Sequence, residues 1–459
     1  MPSQLALLLC AGLVLALLRI ERQQAPEQSN ALWVPTIWMM NCAAKPLASW
    51  FSPGDTEGVD VEAGSPMDRM FLIVLLVASI TILSRRKLNW TVIKGNTFWL
   101  IVLCGYALVS ILWSDFVFVS IKRYIRFCGT PLVAMIILSE ASPKVAMESV
   151  LRRTAFVLVP FSLLLIKYFP NLGVMYGRWS GELMWVGVTS QKNALGILCF
   201  VSAFFLFWRM LRAWSERKPG EKWSRKQKLY VAAEVAVLAI AIYLLKGPGK
   251  AYSATSLVVS FVGVSGLLAL TRMRKRQKYL PPVALYTVVA LCFIYGMGIP
   301  FGAASVSSGF MEALGRDATF TDRDQIWREL VPIAMQNSIL GQGYGGFWVL
   351  PIESGVNEAH NGYLDLMLEL GLVGIVLLFA FVISLCKAAY RGLSQNFWWC
   401  SLTICLSVMT LVHNSTESSF LKTSNFLWSL LVILYLLVNV PVGFLSVVKR
   451  VPSESLGHS

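Results

Sequence analysis

Charge is scarce in this 459-residue chain, and so is histidine. Only 14% of the residues are charged, 56% are hydrophobic and three are histidines; a soluble globular domain carries roughly 25% charged residues. The mean hydropathy of +0.63 therefore excludes an ordinary soluble enzyme and indicates an integral membrane protein. None of the nine cysteines forms a CxxC pair, which argues against a disulfide framework, a cysteine-ligated zinc or a redox motif. The first apolar run, Leu5 to Ile20, lacks the basic start and small-residue exit of a cleaved signal, so a first span is expected there. No internal repeat is evident, and no segment has the polarity of a soluble domain. Residues 1–459 read as a single integral membrane domain.

What the chain has in quantity is apolar runs. A helix needs about 20 mainly apolar residues to cross the hydrocarbon core. By that measure the sequence predicts an all-α polytopic protein of about twelve or thirteen spans, near 4–20, 31–44, 68–84, 97–113, 125–139, 153–169, 193–211, 229–245, 252–270, 281–300, 361–386, 396–412 and 425–445. The 16 Trp and 14 Tyr suit aromatic belts at the membrane surface. The net charge of +15 raises nucleic-acid binding as a function. However, most Lys and Arg fall in alternate short connections, above all 212–228 (RAWSERKPGEKWSRKQK), which is positive-inside bias instead. No nucleic-acid partner is expected. The same alternation puts residues 301–360, the longest connection, on the outer side.

A loop that long is usually functional or disordered, and this one is not of low complexity. DRDQIWRELVPIAMQN (322–337) sets Ile326, Leu330 and Ile333 on one face, with Thr321 as N-cap, predicting a short amphipathic helix. Arg323 in its first turn would add a guanidinium to a helix N-terminus, a combination suited to an anion. Asp322-Arg323-Asp324 spells D-x-D, but the carboxylates are better read as favouring the helix dipole than as holding a metal; no metal and no cofactor is expected. GQGYGG (341–346) follows no strand and reads as a turn that ends the helix rather than a nucleotide loop.

Other polar groups share the predicted outer face. Lys122, Arg123 and Arg126 (SIKRYIRF) run against positive-inside bias and either snorkel to lipid phosphates or bind an anion. Arg178, Lys192 and Asn193 lie in GRWSGELM and TSQKNALG. His360 stands at the mouth of the eleventh span, and its unperturbed pKa of about 6.5 suits a general base. Asn361, Asp365 and Glu369 recur every four residues as a polar stripe entering that span, expensive unless it faces protein or a wet cavity. His413 and Glu417 (VHNSTE) belong either to the same cavity or to ordinary loop polarity.

TDRDQIW, LGQGYGGFW and HNGYLDLMLELGLVG together resemble the O-antigen ligase and Wzy-type polysaccharide polymerase superfamily. The moderately specific elements are the His360-Asn361 pair and Arg323-x-x-x-Trp327. ALWVPTIWMMNCAAKPLASWF, GSPMDRM and GRWSGELMWVGVTSQKNALG look like its exopolysaccharide-production, ExoQ-like branch. The resemblance implies a bacterial inner-membrane glycosyltransferase acting at the periplasmic face without metal. It would pass glycan from an undecaprenyl-diphosphate carrier to a sugar hydroxyl of a glycan acceptor, amid membrane lipids, and work beside a chain-length regulator and a flippase. His360 would deprotonate the acceptor, and Arg178 and Arg323 would bind the diphosphate. Polymerisation of repeat units is expected. The rival within enzymes is a ligase attaching finished glycan to a lipid or protein. A transporter or lipid flippase is more distant, because the chemistry-bearing groups gather at one face rather than the midplane.

Overall fold

The computed structural model describes residues 1–51, 65–86, 88–177, 181–218, 220, 222–249, 252–276, 279, 281–302, 323–349, 352 and 355–440. Helices occupy all thirteen predicted positions. They are α1 (Ser3–Gln24), α2 (Trp33–Ala43), α3 (Pro66–Ser84), α4 (Trp90–Asn96), α5 (Phe98–Ser110), α6 (Val117–Leu138), α7 (Pro143–Tyr168), α8 (Lys192–Ser215), α9 (Arg225–Lys246), α10 (Ala254–Lys275), α11 (Pro282–Gly298), α12 (Arg323–Gln336), α13 (Gly362–Gly392), α14 (Phe397–His413) and α15 (Phe426–Asn439). The amphipathic helix of the long connection is α12, and α4 is the one addition among these.

The protein is an all-α polytopic membrane protein. Eight described helices are long and apolar enough to cross a membrane; the α4–α5 pair, bent by 84°, is a ninth when counted as one span, and α14 and α15 are shorter apolar helices. The count falls below twelve or thirteen for local reasons. Helix α2 has only 11 residues. Helix α6 begins at Val117, so Lys122, Arg123 and Arg126 lie within it rather than at the outer end of a span. Outward-facing apolar side chains such as Leu8, Leu15, Ile73 and Phe261 are exposed and suit contact with lipid. Among those eight, α7 is the most enclosed: 83% of its apolar window is buried, against 11% for α1.

Helix α7 starts ten residues before the expected boundary, which places Arg152 and Arg153 inside a buried helix rather than at a loop edge. Carboxylates from neighbouring helices make this tolerable. Arg153 pairs with Glu21 at 2.7 Å, Arg152 lies 3.6 Å from Glu234, Arg209 joins Glu234 at 2.8 Å and also Glu148, and Arg212 meets Glu148 at 2.8 Å. The network ties the C-terminal ends of α1 and α8 to the N-terminal parts of α7 and α9. A two-stranded antiparallel hairpin, β1 (Val174–Tyr176) with β2 (Leu183–Trp185), lies outside the all-helical expectation.

Helix α13 is broken. Gly371 takes φ 62°, ψ −164° in its interior, interrupting the hydrogen-bond ladder at membrane depth. The chain 338–343 repairs the break: Gln342 and Gly343 donate to the carbonyls of Leu368 and Glu369 at 2.9 Å, while Leu372 and Val373 donate to Ser338 and Ile339 at 2.8 and 3.2 Å. A Cβ on Gly341 would fall 2.5 Å from Glu369 backbone, and one on Gly371 would fall 2.3 Å from the Ile339 carbonyl. The glycines of GQGYGG therefore close over a broken helix, which extends the simple turn expected of them.

Candidate functional site

The two segments that build the site are each tied down by an asparagine. Asn361 caps α13, accepting from Tyr363 and Leu364 N–H and donating to the carbonyls of Gly296 and Ser415 at 2.9 and 3.0 Å. Asn414 holds the turn after α14, accepting from Ser419 and Phe420 N–H. Gly362 N–H donates to Asn414 and Glu417 carbonyls, so the start of α13 and the 413–425 strap are locked together. Helix α12 docks on the same place. Ile326, Trp327, Leu330 and Ala334 pack with Leu364, Met367 and Leu368 in a small separate core, and the Trp327 indole donates to the Ala359 carbonyl at 2.8 Å.

These locks bring His360, Arg323, Glu417 and Asn193 together. His360 Nδ1 lies 3.2 Å from Glu358 Oε1 and 3.5 Å from Glu417 Oε2. Glu417 Oε1 receives Arg323 Nη2 at 2.5 Å and Asn193 Nδ2 at 2.6 Å. Glu358 Oε2 receives Lys422 Nζ at 2.7 Å, and Lys422 also reaches Asp365 at 3.2 Å. Asp365 accepts in turn from Ala359 N–H. Among the described residues the only non-glycine positive φ values are His360 (48°), Leu421 (51°) and Ser424 (54°). All three flank this cluster, at a cost of roughly 1–2 kcal/mol each, and strain of this kind collects at functional sites.

The electrostatics follow from burial and pairing. Burial alone would raise the Glu417 pKa, but the Arg323 guanidinium and the His360 imidazole beside it hold it at about 2. Burial alone would lower the pKa of His360; the neighbouring Glu417 and Glu358 carboxylates outweigh that and raise it above 6.5. Glu358, pushed up by burial, is brought below its ordinary value chiefly by Lys422. Two carboxylates thus face one ring nitrogen, at 3.2 and 3.5 Å but without an aligned hydrogen bond; their charge favours the proton on Nδ1 and the lone pair on Nε2.

Beside the cluster lies a cavity of about 520 Å³, walled by the end of α2, the starts of α3 and α8, the end of α14 and the 418–425 strap. Arg126, Asn193, His413 and Glu417 line it, as do Glu358 and Lys422; His360 and Arg323 do not. Lys192 borders a different, very small pocket beside Trp185. Arg123 donates to the Gly345 carbonyl at 2.6 Å and so supports the glycine closure, and Lys122 lies over the Phe118 ring. Asn361, Asp365 and Glu369 all precede the Gly371 break, and none lines the large cavity. The first two serve as cap and ion-pair partner. Arg178, Asp322 and Thr321 lie outside the described residues.

Glu358 and Lys422 are additions to the expected set. Glu358 carried a signal, an acid two residues from the histidine. Lys422 carried only its isolation in SSFLKTSN, since its partners are 57 and 64 positions away in sequence. The donor atoms of Glu358, His360 and Glu417 lie within 4.8 Å of one another, close enough for a metal ion. Lys422 and Arg323 already neutralise those carboxylates, which weighs against one.

Residues 250–379 match the family model described as O-Antigen ligase. The chain resembles the O-antigen ligase family. The exopolysaccharide production protein ExoQ of Rhizobium meliloti (strain 1021) is 24% identical over 303 residues, and the match covers 61% of this chain and 62% of that relative, under two thirds of its length. The resemblance is thus to the exopolysaccharide-production branch of the O-antigen ligase family, and it supports a membrane glycan-processing function. The O-antigen ligase match takes in His360, Glu358 and Arg323 and stops before Glu417 and Lys422.

Proposed function

We propose that the protein is a glycosyltransferase that polymerises undecaprenyl-diphosphate-linked repeat units into an exopolysaccharide at the periplasmic face of the inner membrane. The observation that carries this reading is the chain Arg323–Glu417–His360–Glu358, in which paired carboxylates hold an imidazole as a base. In the reaction the acceptor hydroxyl oxygen attacks the anomeric carbon and His360 Nε2 takes its proton. The bond from that carbon to the phosphate oxygen breaks, and its electron pair leaves with the carrier diphosphate. One direct displacement inverts the anomeric centre. The leaving group needs fixed cations as its charge grows. Arg323 supplies one: its side chain is 22% exposed, so the guanidinium can meet a phosphate while Glu417 holds Nη2. Arg178 is proposed beside it, with Lys192 and Arg123 as further cations; Arg126 lines the neighbouring cavity instead.

The relative's name, exopolysaccharide production protein, favours a polymerase, whereas the description of the matched family favours a ligase. Product analysis separates them. A strain lacking the gene is expected to accumulate single repeat units, on the carrier or released, and no long chains. Long polymer stranded on the undecaprenyl carrier would establish the ligase reading instead.

Orientation has its own test. On α8, Asn193 at the site and Arg209 in the ion network are 16 residues apart, about 24 Å at 1.5 Å per residue, so the two clusters belong near opposite membrane surfaces. In a background without native cysteines, Asn357→Cys is expected to react with an impermeant thiol reagent added outside, and Ser215→Cys only after permeabilisation. The reverse pattern would put the site in the cytoplasm.

A further inference from the structure

Neither proton removal nor diphosphate binding accounts for the cavity of about 520 Å³. Three of its lining residues carry buried polar atoms with no hydrogen-bond partner among the described residues: Nδ1 and Nε2 of His413, Oγ of Ser418 and Oγ of Ser424. His413 is 0% and Ser418 7% exposed. Buried polar groups are almost always hydrogen-bonded, so four orphaned atoms on three residues that line one space call for a ligand. The strap that presents Ser418 and Ser424 is itself held in strained backbone at Leu421 and Ser424.

The chemistry of the walls says which ligand. Asp68, Glu358 and Glu417 stand against Arg126 and Lys422, and Lys422 is already paired with Glu358. There is no surplus of positive charge for a diphosphate. A neutral imidazole offers one donor and one acceptor, and each serine hydroxyl can do both. That set matches hydroxyl groups, which also donate and accept. The volume lies in the range of small-ligand pockets, so it suits a short saccharide rather than a polymer.

We propose that this cavity is a saccharide subsite, in which His413, Ser418 and Ser424 read the hydroxyls of a sugar residue of the glycan, apart from the cations that hold the diphosphate. The proposal rests on the glycan-transfer reading given above and names the part of the substrate that this wall recognises. Glu417 belongs to both places, lining the cavity and touching His360, so a sugar bound here sits next to the base. A site that hydrogen-bonds a substrate hydroxyl discriminates strongly against analogues lacking it.

The test uses the full-length protein purified in detergent. The probe is the free oligosaccharide repeat unit, released by mild acid from carrier-linked material of the producing cells, and binding is read by titration calorimetry. Wild type is expected to bind it, and so is His360→Ala. Ser424→Leu, which fills the cavity, is expected to abolish binding. Ser418→Ala removes one hydroxyl without adding bulk and is expected to weaken binding about fivefold, the loss of one hydrogen bond; it keeps the test valid should Ser424→Leu fail to fold. Inorganic pyrophosphate is expected not to compete. Binding unchanged in both serine variants, or displaced by pyrophosphate, would overturn the subsite while a His360-dependent transfer activity left the broader reading standing. No saccharide binding by wild type, together with transfer indifferent to His360, would overturn both.

Discussion

A His360→Ala protein that inserts in the membrane at the wild-type level is expected to transfer glycan about 10²–10⁴-fold more slowly, the usual contribution of a general base. The geometry behind the figure is specific. Nδ1 faces Glu358 and Glu417, so the proton of the neutral ring belongs there and Nε2 carries the lone pair. The main chain holds the ring in place through the Asn361 cap that follows it, at a residue kept at φ 48°. His360→Gln preserves size and some hydrogen bonding but not basicity, so it is expected to be as slow as alanine. Activity of the wild type in EDTA belongs to the same measurement and is expected to persist. If EDTA stopped the reaction and magnesium or manganese restored it, Glu358, His360 and Glu417 would be the residues placed to hold the metal, and His360 would not be a free base. Near-normal polymer from a well-expressed His360→Ala strain would sink the role altogether.

How much of this was legible in the sequence depends on the range of the interaction that decides it. Span positions are set by local apolar length, and each predicted run holds a helix. Where a long-range pairing decides, the sequence reading goes astray. Arg152 and Arg153 look like the edge of a loop because hydropathy charges them the full cost of burial; in the fold Glu21 and Glu234 offset it, and α7 runs straight through. The α13 break could not be read from Gly371 alone, because a glycine in an apolar run is ordinary in membrane helices. It becomes a break only because 338–343 supplies the missing hydrogen bonds.

The site divides in the same way. His360, Arg323, Asn193 and Glu417 were marked from residue type and from the face they were expected to share, and the fold joins them. The spacing of the polar stripe is right, and of the two surroundings it allows, protein or a wet cavity, the fold supplies protein. Asn361 and Asp365 do lie on one face, but that face meets the 413–425 strap rather than a wet cavity. The cavity instead draws on the ends of α2 and α14 and the starts of α3 and α8, an assembly that no single stretch of sequence displays.

Glu417→Gln is expected to change the pH dependence of transfer in a direction that no loss of stability would produce. In the wild type the base works only when His360 is neutral, so kcat/KM rises with pH through its pKa, which the flanking carboxylates hold above 6.5. Glu417 has a pKa of about 2 and stays ionised across the whole measurable range. Its carboxylate and that of Glu358 are what raise the histidine. Glutamine keeps the shape and can still accept from Asn193, but it removes the charge. Burial, which lowers the imidazole pKa, is then opposed mainly by Glu358, so the acid limb of the profile is expected to move to lower pH. The plateau is expected to fall at the same time, because an amide can donate as well as accept and no longer enforces the Nδ1–H tautomer. Where a buried carboxylate behind a catalytic histidine has been exchanged for its amide, the loss approaches 10⁴-fold. Glu358 remains at 3.2 Å from the same nitrogen, so a loss of about 10²-fold is the expectation here, deepening in the Glu358→Gln, Glu417→Gln double variant. A lower plateau with an unmoved acid limb would mean that Glu417 only holds Arg323 in place, and the base would then be tuned by Glu358 alone.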